Sequence, residues 1–214
     1  PLKIVLENFP EGHVEWLEVQ GQTEASPRRM PLTRELFVEQ DDFMEVPAKK
    51  WFRLAPGAEV RLRGACLVRC TDVVKDAEGR VVELRCTWDP ASKGGDAPDG
   101  RKVKGTLHWV SASHSLSAEL RLYERLFTAE DPMDMPEGGH WQDTLNPHSL
   151  EILQARLEPS LGDAIVGQRF QFERQGYFCV DPDTAAGALV FNRTVGLKDS
   201  WAKESGKAPV PGIT

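Results

Sequence analysis

The chain has 214 residues and a formal net charge of −7 at pH 7, with 28% charged and 40% hydrophobic residues. This composition is ordinary for a globular protein that buries a core, and the length allows one large domain or two small ones. No apolar run approaches the roughly 20 residues of a membrane-spanning helix, and no secretory signal is present, so we expect a cytoplasmic protein. Fifteen prolines and eighteen glycines favour an all-β chain with frequent turns.

Alternation of apolar and polar residues with a period of two predicts β-strands in the first half of the chain. The predicted strands cover residues 4–7, 13–19, 36–38, 60–70 and 81–88. The polar segment 21–31 predicts a connection, and residues 41–43 predict a turn or one helical turn. Asp76–Gly79 predicts a hairpin turn, and the segment 89–100, rich in glycine and aspartate, predicts a loop.

In the second half, residues 101–110 are basic and then alternate, and residues 118–123 predict a strand, with a helix as the alternative. Asn146-Pro147 predicts the start of a short helix. Two further predictions follow from composition and pattern: a hairpin over 169–180 that turns at Gln175-Gly176, and a last strand over 189–195.

The four cysteines do not have the spacing of a metal site. Cys66 and Cys70 lie in the predicted strand 60–70, about 13 Å apart, which is too far for a disulfide within one strand. Because no CxxC motif or paired histidine accompanies them, we expect small buried side chains. The acidic Asp181-Pro182-Asp183 lies in a turn-rich segment and predicts a solvated loop rather than a metal site.

Positive charge is concentrated in one short segment of this acidic chain. Residues 49–69, KKWFRLAPGAEVRLRGACLVR, hold six lysines or arginines and one acid, whereas the 48 residues before them hold four basic and ten acidic side chains. In the predicted strand, Arg61, Arg63 and Arg69 share one face. Guanidinium groups pair bidentately with phosphates and base edges. The segment therefore predicts a polyanion-binding surface, with a solvated strand edge as the alternative.

Three features add to this prediction. Arg53 precedes the basic strand by a turn at Pro56-Gly57, and residues 101–104, RKVK, form a second basic segment. In FQFER, the alternation sends Phe170 and Phe172 to the core, and therefore Gln171 outward, with Arg174 at the turn. Glutamine and arginine suit the reading of base edges, and an ordinary surface is the alternative. No triad, P-loop, GxSxG or GxGxxG motif is present, so the sequence does not predict catalysis.

Seven runs carry a family resemblance that extends to about Lys203. They are PLKIVLENF, EVRLRGACLV, GRKVKGTLHWVSASHS, LRLYERLF, EPSL, FQFERQGYFCVD and VFNRTVGLKDSW. These runs resemble the C-terminal anticodon-binding region of glutaminyl-tRNA synthetases, which are class I aminoacyl-tRNA synthetases. Glutamyl-tRNA synthetases of the archaeal and eukaryotic type share this architecture.

The resemblance implies an all-β fold of two β-barrels with short helical turns. Residues 1–25 with 115–203 correspond to the proximal barrel, 26–114 to the distal barrel inserted between them, and 204–214 to a tail or linker. The catalytic domain lies upstream in this family, and ATP and Mg²⁺ belong there. This segment is therefore expected to hold no catalytic residue, metal or cofactor of its own.

The resemblance also assigns site residues, because the family splays the anticodon bases into separate pockets. Arg61 and Arg63 resemble the residues at the first base, Arg53 the one at the third base, and Gln171 with Arg174 the central uracil pocket. Arg193 and Thr194 resemble the family residues near the anticodon backbone or third base.

Two positions depart from the family pattern. Trp51-Phe52-Arg53 stands where the family has Tyr-Lys-Arg, so Phe52 replaces a lysine contact. Lys50, the last candidate RNA-binding residue, stands where the family has glutamine. We therefore expect different contacts at the first-base and central pockets.

The function implied is anticodon recognition by the C-terminal part of a glutamine–tRNA ligase. The expected partners are the anticodon stem-loop of tRNA(Gln) and the catalytic domain of the same polypeptide, in a monomer without membrane contact. The start at Pro1, on a strand-like run, favours a segment of a longer protein. The alternatives are the same region of a glutamate–tRNA ligase, a stand-alone β-barrel RNA-binding protein, and a protein-interaction module.

Overall fold

The computed structural model of the chain describes residues 1–19, 28–94, 97–131 and 138–197. Within these ranges the regular structure is β-strands and short 3₁₀ helices, so the all-β prediction is confirmed. The strands are β1 Leu2–Leu6, β2 Glu15–Val19, β3 Arg28–Leu32, β4 Glu35–Val38, β5 Glu59–Leu62, β6 Leu67–Lys75, β7 Val81–Asp89, β8 Thr106–Leu107, β9 Val110–Ser111, β10 Leu116–Tyr123, β11 Leu150–Leu157, β12 Arg169–Phe172, β13 Gly176–Val180 and β14 Leu189–Gly196. The 3₁₀ helices are Gln40–Asp42, Pro90–Ser92, Trp141–Thr144 and Pro159–Leu161. None of the helices in the described ranges is long and apolar enough to cross a membrane.

The chain forms two compact units. The first contains the described residues of Pro1–Leu116 and Arg156–Leu161, and the second those of Ser117–Ala155 and Gly162–Thr214. A seven-stranded sheet of order β8-β5-β6-β7-β1-β4-β9 and a hairpin of β2 and β3 lie in the first unit. A five-stranded sheet of order β11-β10-β14-β13-β12 builds the second. Each unit is thus a β-structure, consistent with one barrel domain in each.

Strand β1 lies in the first unit, whereas the domain prediction grouped it with residues 115–203. β1 pairs in parallel with β7 and antiparallel with β4, so it belongs to the sheet of the first unit and not with residues 115–203. Its side chains Leu2, Ile4 and Leu6 are buried in the core of that unit. Burial of these apolar side chains between two long-range partners stabilises this placement. The predicted tail 204–214 lies outside the described residues.

The prediction of one long strand over residues 60–70 is wrong, because the chain reverses direction within this segment. β5 and β6 form an antiparallel hairpin in which Val60 is opposite Val68, and the amide of Leu62 donates to the carbonyl oxygen of Cys66 at 2.8 Å. Gly64, with φ +67°, makes the reversal, since left-handed backbone suits glycine. The three-residue turn keeps even-numbered residues on the buried face of both strands, so the alternation passes through it without a break.

Two other boundaries differ from the predictions. The connection predicted over 21–31 ends in β3, which pairs antiparallel with β2, and residues 20–27 lie outside the described ranges. Asn146-Pro147 does not begin a helix. The Asn146 side chain accepts a hydrogen bond from the amide of His148 at 3.0 Å, which closes a turn before β11, a strand that the sequence did not predict. The hairpins at Asp76–Gly79 and Gln175-Gly176 and the strand at 118–123 are confirmed.

The core of the second unit is aromatic. The rings of Phe172 and Phe178 stack with centroids 4.5 Å apart, and the ring of Phe191 lies 5.4 Å from that of Phe172. Asp181 is buried, so the prediction of a solvated loop is wrong there. Arg121 and the side chain of Asn192 contact its carboxylate, and the amide of Asp183 donates to it at 2.8 Å. The hydrogen bonds from Asp183 and Asn192 lower the pKa of Asp181.

All four cysteines are free thiols, and Cys66, Cys70 and Cys86 are buried, as predicted for small core side chains, whereas Cys179 is only partly buried. Burial raises the pKa of the Cys66 thiol to about 12. Among the described residues no group of histidines, cysteines and acids has the arrangement of a metal site.

Candidate nucleic-acid interface

Arg61 and Arg63 lie on a ladder that anchors their backbone. The amide of Arg61 donates to the carbonyl oxygen of Gly105 at 2.8 Å, and the amide of Arg63 donates to that of Leu107 at 2.9 Å. The indole of the buried Trp109 donates to the carbonyl oxygen of Arg63 at 3.0 Å. Leu62, between the two arginines, is fully buried. Arg61 alternates with the buried Val60 and Leu62 along β5 and is half-buried, whereas Arg63 lies in the turn after β5 and is exposed.

Arg53 is held by the 3₁₀ helix Gln40–Asp42. Its Nη1 donates to the carbonyl oxygen of Asp41 at 3.2 Å, and its Nε lies 3.7 Å from Oδ1 of Asp42. The guanidinium also lies over the ring of Trp51, 5.4 Å from the centroid. The side chain of Arg53 is 18% exposed. It therefore presents a limited, oriented surface to a ligand and also ties residues 51–54 to the helix.

Lys50 and Arg174 share a rare backbone conformation. They are the only non-glycine residues with positive φ among those that the structure describes, at 69° and 61°. Left-handed backbone costs a residue with a side chain roughly 1–2 kcal/mol. Strain of this kind is concentrated at functional sites. Both residues were candidates from the sequence, so the backbone adds an observation that the family resemblance did not supply.

The positive charge around β5 is partly neutralised by three acids, Glu59, Asp89 and Asp99. Glu59 accepts from Arg101 Nε at 2.9 Å and lies 3.7 Å from Arg69. Arg101 also pairs with Asp89 and Asp99 and lowers the pKa of both carboxyl groups. The arginines at 69 and 101 therefore contribute less to a polyanion surface than the sequence indicates. The exposed lysines of the two basic segments are Lys49, Lys50, Lys102 and Lys104.

In the second unit, Gln171 lies on the exposed side of β12. It stands opposite Tyr177 of β13, and Tyr177 stands opposite Val195 of β14. Phe170 and Phe172, on either side of Gln171, pack on Phe191, as the alternation predicts. Tyr177 is 43% exposed between the buried Gly176 and Phe178. Sequence analysis missed this residue, although the same alternation along β13 indicates it.

Arg174 lies in the turn between β12 and β13. The amide of Gln175 donates to the carbonyl oxygen of Phe172 at 3.0 Å, which closes that turn. Gly176 follows because a Cβ there would lie 2.3 Å from the carbonyl oxygen of Val195. The turn therefore fixes the Arg174 backbone three residues after Gln171.

Arg193 and Thr194 are neighbours on β14 with different surroundings. Nη2 of Arg193 lies 3.4 Å from Oε1 of Glu124, and its side chain is 14% exposed. Thr194 is exposed, and its hydroxyl donates to the carbonyl oxygen of Tyr177 at 3.1 Å. Thr194 thus lies beside the strip of Gln171, Tyr177 and Val195, whereas an acid already engages Arg193. Four of the eight candidates lie in each unit.

Two family models match this chain. Both carry the description tRNA synthetases class I (E and Q), anti-codon binding domain, and they match residues 1–89 and 106–181. Together they cover most of the chain and reach into both units. The chain belongs to this anticodon-binding domain family. The resemblance stated from the sequence is confirmed.

Curated relatives match almost the whole chain. A glutamine–tRNA ligase from Nitrobacter hamburgensis is 56% identical over 206 residues, which are 95% of this chain and 36% of the relative. One from Bradyrhizobium diazoefficiens is 53% identical over 211 residues, 97% of this chain and 37% of the relative. One from Pseudomonas putida is 51% identical over 205 residues, which are 94% of this chain and 36% of the relative. This anticodon-binding chain therefore spans just over a third of the length of these relatives.

The matched segments include most of the predicted site. Lys50, Arg53, Arg61 and Arg63 lie within residues 1–89, and Gln171 and Arg174 within 106–181. Arg193 and Thr194 lie beyond both segments. The family membership thus covers six of the eight candidates, and the roles of individual residues depend on their geometry.

Proposed function

We propose that this chain recognises the anticodon of tRNA(Gln) as the C-terminal part of a glutamine–tRNA ligase. The observation that carries the proposal is the identity of 51–56% with glutamine–tRNA ligases over 94–97% of the chain. The aminoacylation reaction, with ATP and Mg²⁺, belongs in this proposal to a catalytic domain of the same polypeptide. We further propose that the parent protein is a cytoplasmic monomer, and that the expected distal and proximal barrels correspond to the first and second unit.

The chemistry of the site suits single-stranded RNA. Arg61 and Arg63 offer planar donors from an anchored ladder, which match the acceptors of a base or a phosphate. Gln171 offers an amide donor and acceptor beside the ring of Tyr177, an arrangement that pairs with a base edge and stacks on its face. Discrimination then follows because a wrong base leaves these donors desolvated and unpaired.

The acidic net charge constrains how binding occurs. A chain of charge −7 repels RNA at long range, so attraction depends on the local arginines and lysines. Each phosphate contact to a single strand contributes about −0.7 to the slope of log K against log salt concentration. We therefore expect the slope of log K against log salt concentration to correspond to a few phosphate contacts rather than to attraction by the whole chain.

Binding of anticodon hairpins to the chain tests the proposal. Fluorescence anisotropy with a labelled tRNA(Gln) hairpin should show salt-dependent binding that weakens roughly tenfold or more when any one anticodon base is exchanged. The tRNA(Glu) hairpin is the matched comparison, because the family includes both specificities. Tighter binding of the tRNA(Glu) hairpin would favour the glutamate ligase. Absence of salt-dependent binding to every hairpin would contradict the proposal.

A further inference from the structure

An exposed aromatic ring in the first unit carries a lysine on its face. Phe52 is 50% exposed, and Nζ of the exposed Lys104 lies 4.8 Å from the centre of its ring. The two residues are 52 positions apart in the chain, so the fold brings them together. The face of an aromatic ring stacks on flat groups, and a lysine beside it can bind an anion, so this pair suits a flat group that carries a phosphate.

The backbone holds this pair in place. A Cβ at Gly105 would lie 1.8 Å from the carbonyl oxygen of Phe52, so the absence of a side chain at 105 permits the close approach. The carbonyl oxygen of the same Gly105 accepts from the amide of Arg61. On the other side of Phe52, the indole of Trp51 donates to the carbonyl oxygen of Leu54 at 2.8 Å. The ring is therefore positioned by the same ladder that carries Arg61.

The partner of Lys104 differs from those of the neighbouring arginines. Glu59 faces Arg69 and Arg101, and Asp89 and Asp99 pair with Arg101. These acids are engaged by arginines, whereas the cation of Lys104 lies over a neutral ring. Lys104 also lies between the segments 1–89 and 106–181 that the family models match, so neither model covers it.

We propose that Phe52 and Lys104 form a nucleotide subsite, in which an unpaired base of an RNA loop replaces the Lys104 ammonium on the face of Phe52 and the exposed Lys104 side chain turns to bind an adjacent phosphate. The inference rests on the proposed function. The amide of Arg61 donates to Gly105, the residue after Lys104, so the subsite takes a nucleotide close to the one that Arg61 contacts. Base–aromatic stacking tolerates any base. The subsite therefore adds affinity without adding sequence preference.

The test combines three variants with two controls on the 214-residue chain. Phe52→Leu removes the aromatic face, Phe52→Tyr keeps it, and Lys104→Gln removes the charge. Lys93→Gln is the lysine control, because Lys93 is exposed, lies over the ring of Trp88 and is outside the two basic segments. Val46→Ala is the control for an exposed apolar side chain in the same unit. Each protein is titrated with the tRNA(Gln) anticodon hairpin at several salt concentrations, after its urea midpoint shows that it is folded.

We expect Phe52→Leu to weaken binding roughly tenfold with the salt slope unchanged, and Phe52→Tyr to bind like the parent. Lys104→Gln is expected to reduce the slope by about 0.7, and the two controls to change neither quantity. A series of hairpins that each lack one loop base locates the nucleotide, because the penalty of Phe52→Leu disappears at one position.

Salt-dependent binding that Phe52→Leu leaves unchanged would overturn the subsite and leave the proposed function standing. Equal losses of slope in Lys93→Gln and Lys104→Gln would overturn it as well, since they would indicate diffuse attraction. A penalty that persists with every base-deleted hairpin would contradict stacking. If the parent chain binds no hairpin, both the proposed function and the subsite fail.

Discussion

The guanidinium of Arg53 lies 3.7 Å from the carboxylate of Asp42, which is 1% exposed. Arg53, which the family resemblance assigns to RNA contact, is therefore also a cation beside a buried acid. Removing Arg53 takes away a cation that stabilises this buried carboxylate, which is costly. We expect Arg53→Met to lower the free energy of unfolding by about 2–3 kcal/mol.

Urea denaturation of Arg53→Met and of the double variant Arg53→Met with Asp42→Asn measures this effect. The double variant should recover part of the loss, because the buried carboxylate is gone. Arg69→Met is the control, since the side chain of Arg69 is 52% exposed where it faces Glu59. Equal stability of the three variants and the parent would contradict a structural role for Arg53.

The left-handed backbone at Arg174 predicts that its glycine and alanine variants differ in stability but not in RNA binding. Arg174→Gly should be about 1 kcal/mol more stable than Arg174→Ala, because glycine adopts φ 61° without strain. Both variants lose the guanidinium, so both should lose the same RNA affinity. Comparing the two at one position cancels the contacts that the arginine side chain makes.

Urea midpoints and hairpin titrations of the two variants provide these values. The same pair of substitutions at Lys50, with φ 69°, is an independent repeat. If the alanine variant is as stable as the glycine variant at both positions, the backbone is not strained there.

Glu158 makes the first unit sensitive to acid. It accepts from Nη2 of Arg28 at 3.3 Å, forms an ion pair with the same guanidinium, whose Nε lies 2.6 Å from Oε2, and pairs with a ring nitrogen of His108 at 2.9 Å. Burial acts to raise the pKa of Glu158, but His108 and Arg28 lower it below the usual value of 4.5. A carboxyl group with a lowered pKa in the folded state contributes stability above pH 4.5 that is lost as the pH falls through the folded value.

Thermal or urea unfolding from pH 7 to pH 3 checks this expectation. Glu158→Gln should be about 2 kcal/mol less stable than the parent at pH 7 and should approach it in acid. Glu151→Gln, at an exposed acid on β11, is the control and should follow the parent throughout. A constant difference between Glu158→Gln and the parent at all pH values would show that the ionised form is not what stabilises the fold.

Patterns within one strand were sufficient to predict much of this fold. The outward position of Gln171 and the hairpin after it follow from local alternation and turn residues, and the structure confirms both. The hairpin between β5 and β6 could not be predicted in this way, because its three-residue turn preserves the alternation of buried positions. Partners far apart in sequence, such as Asp42 for Arg53 and Phe52 for Lys104, depend on the tertiary fold.

The family resemblance grouped β1 with residues 115–203, and no local pattern could decide this. β1 contains an apolar run that any sheet would bury, and only its pairing with β7 and β4 assigns it to the first unit. β11 is an edge strand with mostly exposed residues, so it lacks the alternation by which a half-buried strand is found.

Base-by-base discrimination in the variants Arg61→Ala and Gln171→Ala tests the assignment of anticodon recognition most directly. Each variant is titrated with the tRNA(Gln) hairpin and with hairpins changed at the first or the second anticodon base. We expect Arg61→Ala to lose discrimination at the first base and Gln171→Ala at the second, each by about 1–3 kcal/mol, with the other base still discriminated. Unchanged discrimination at both bases in both variants would contradict the account.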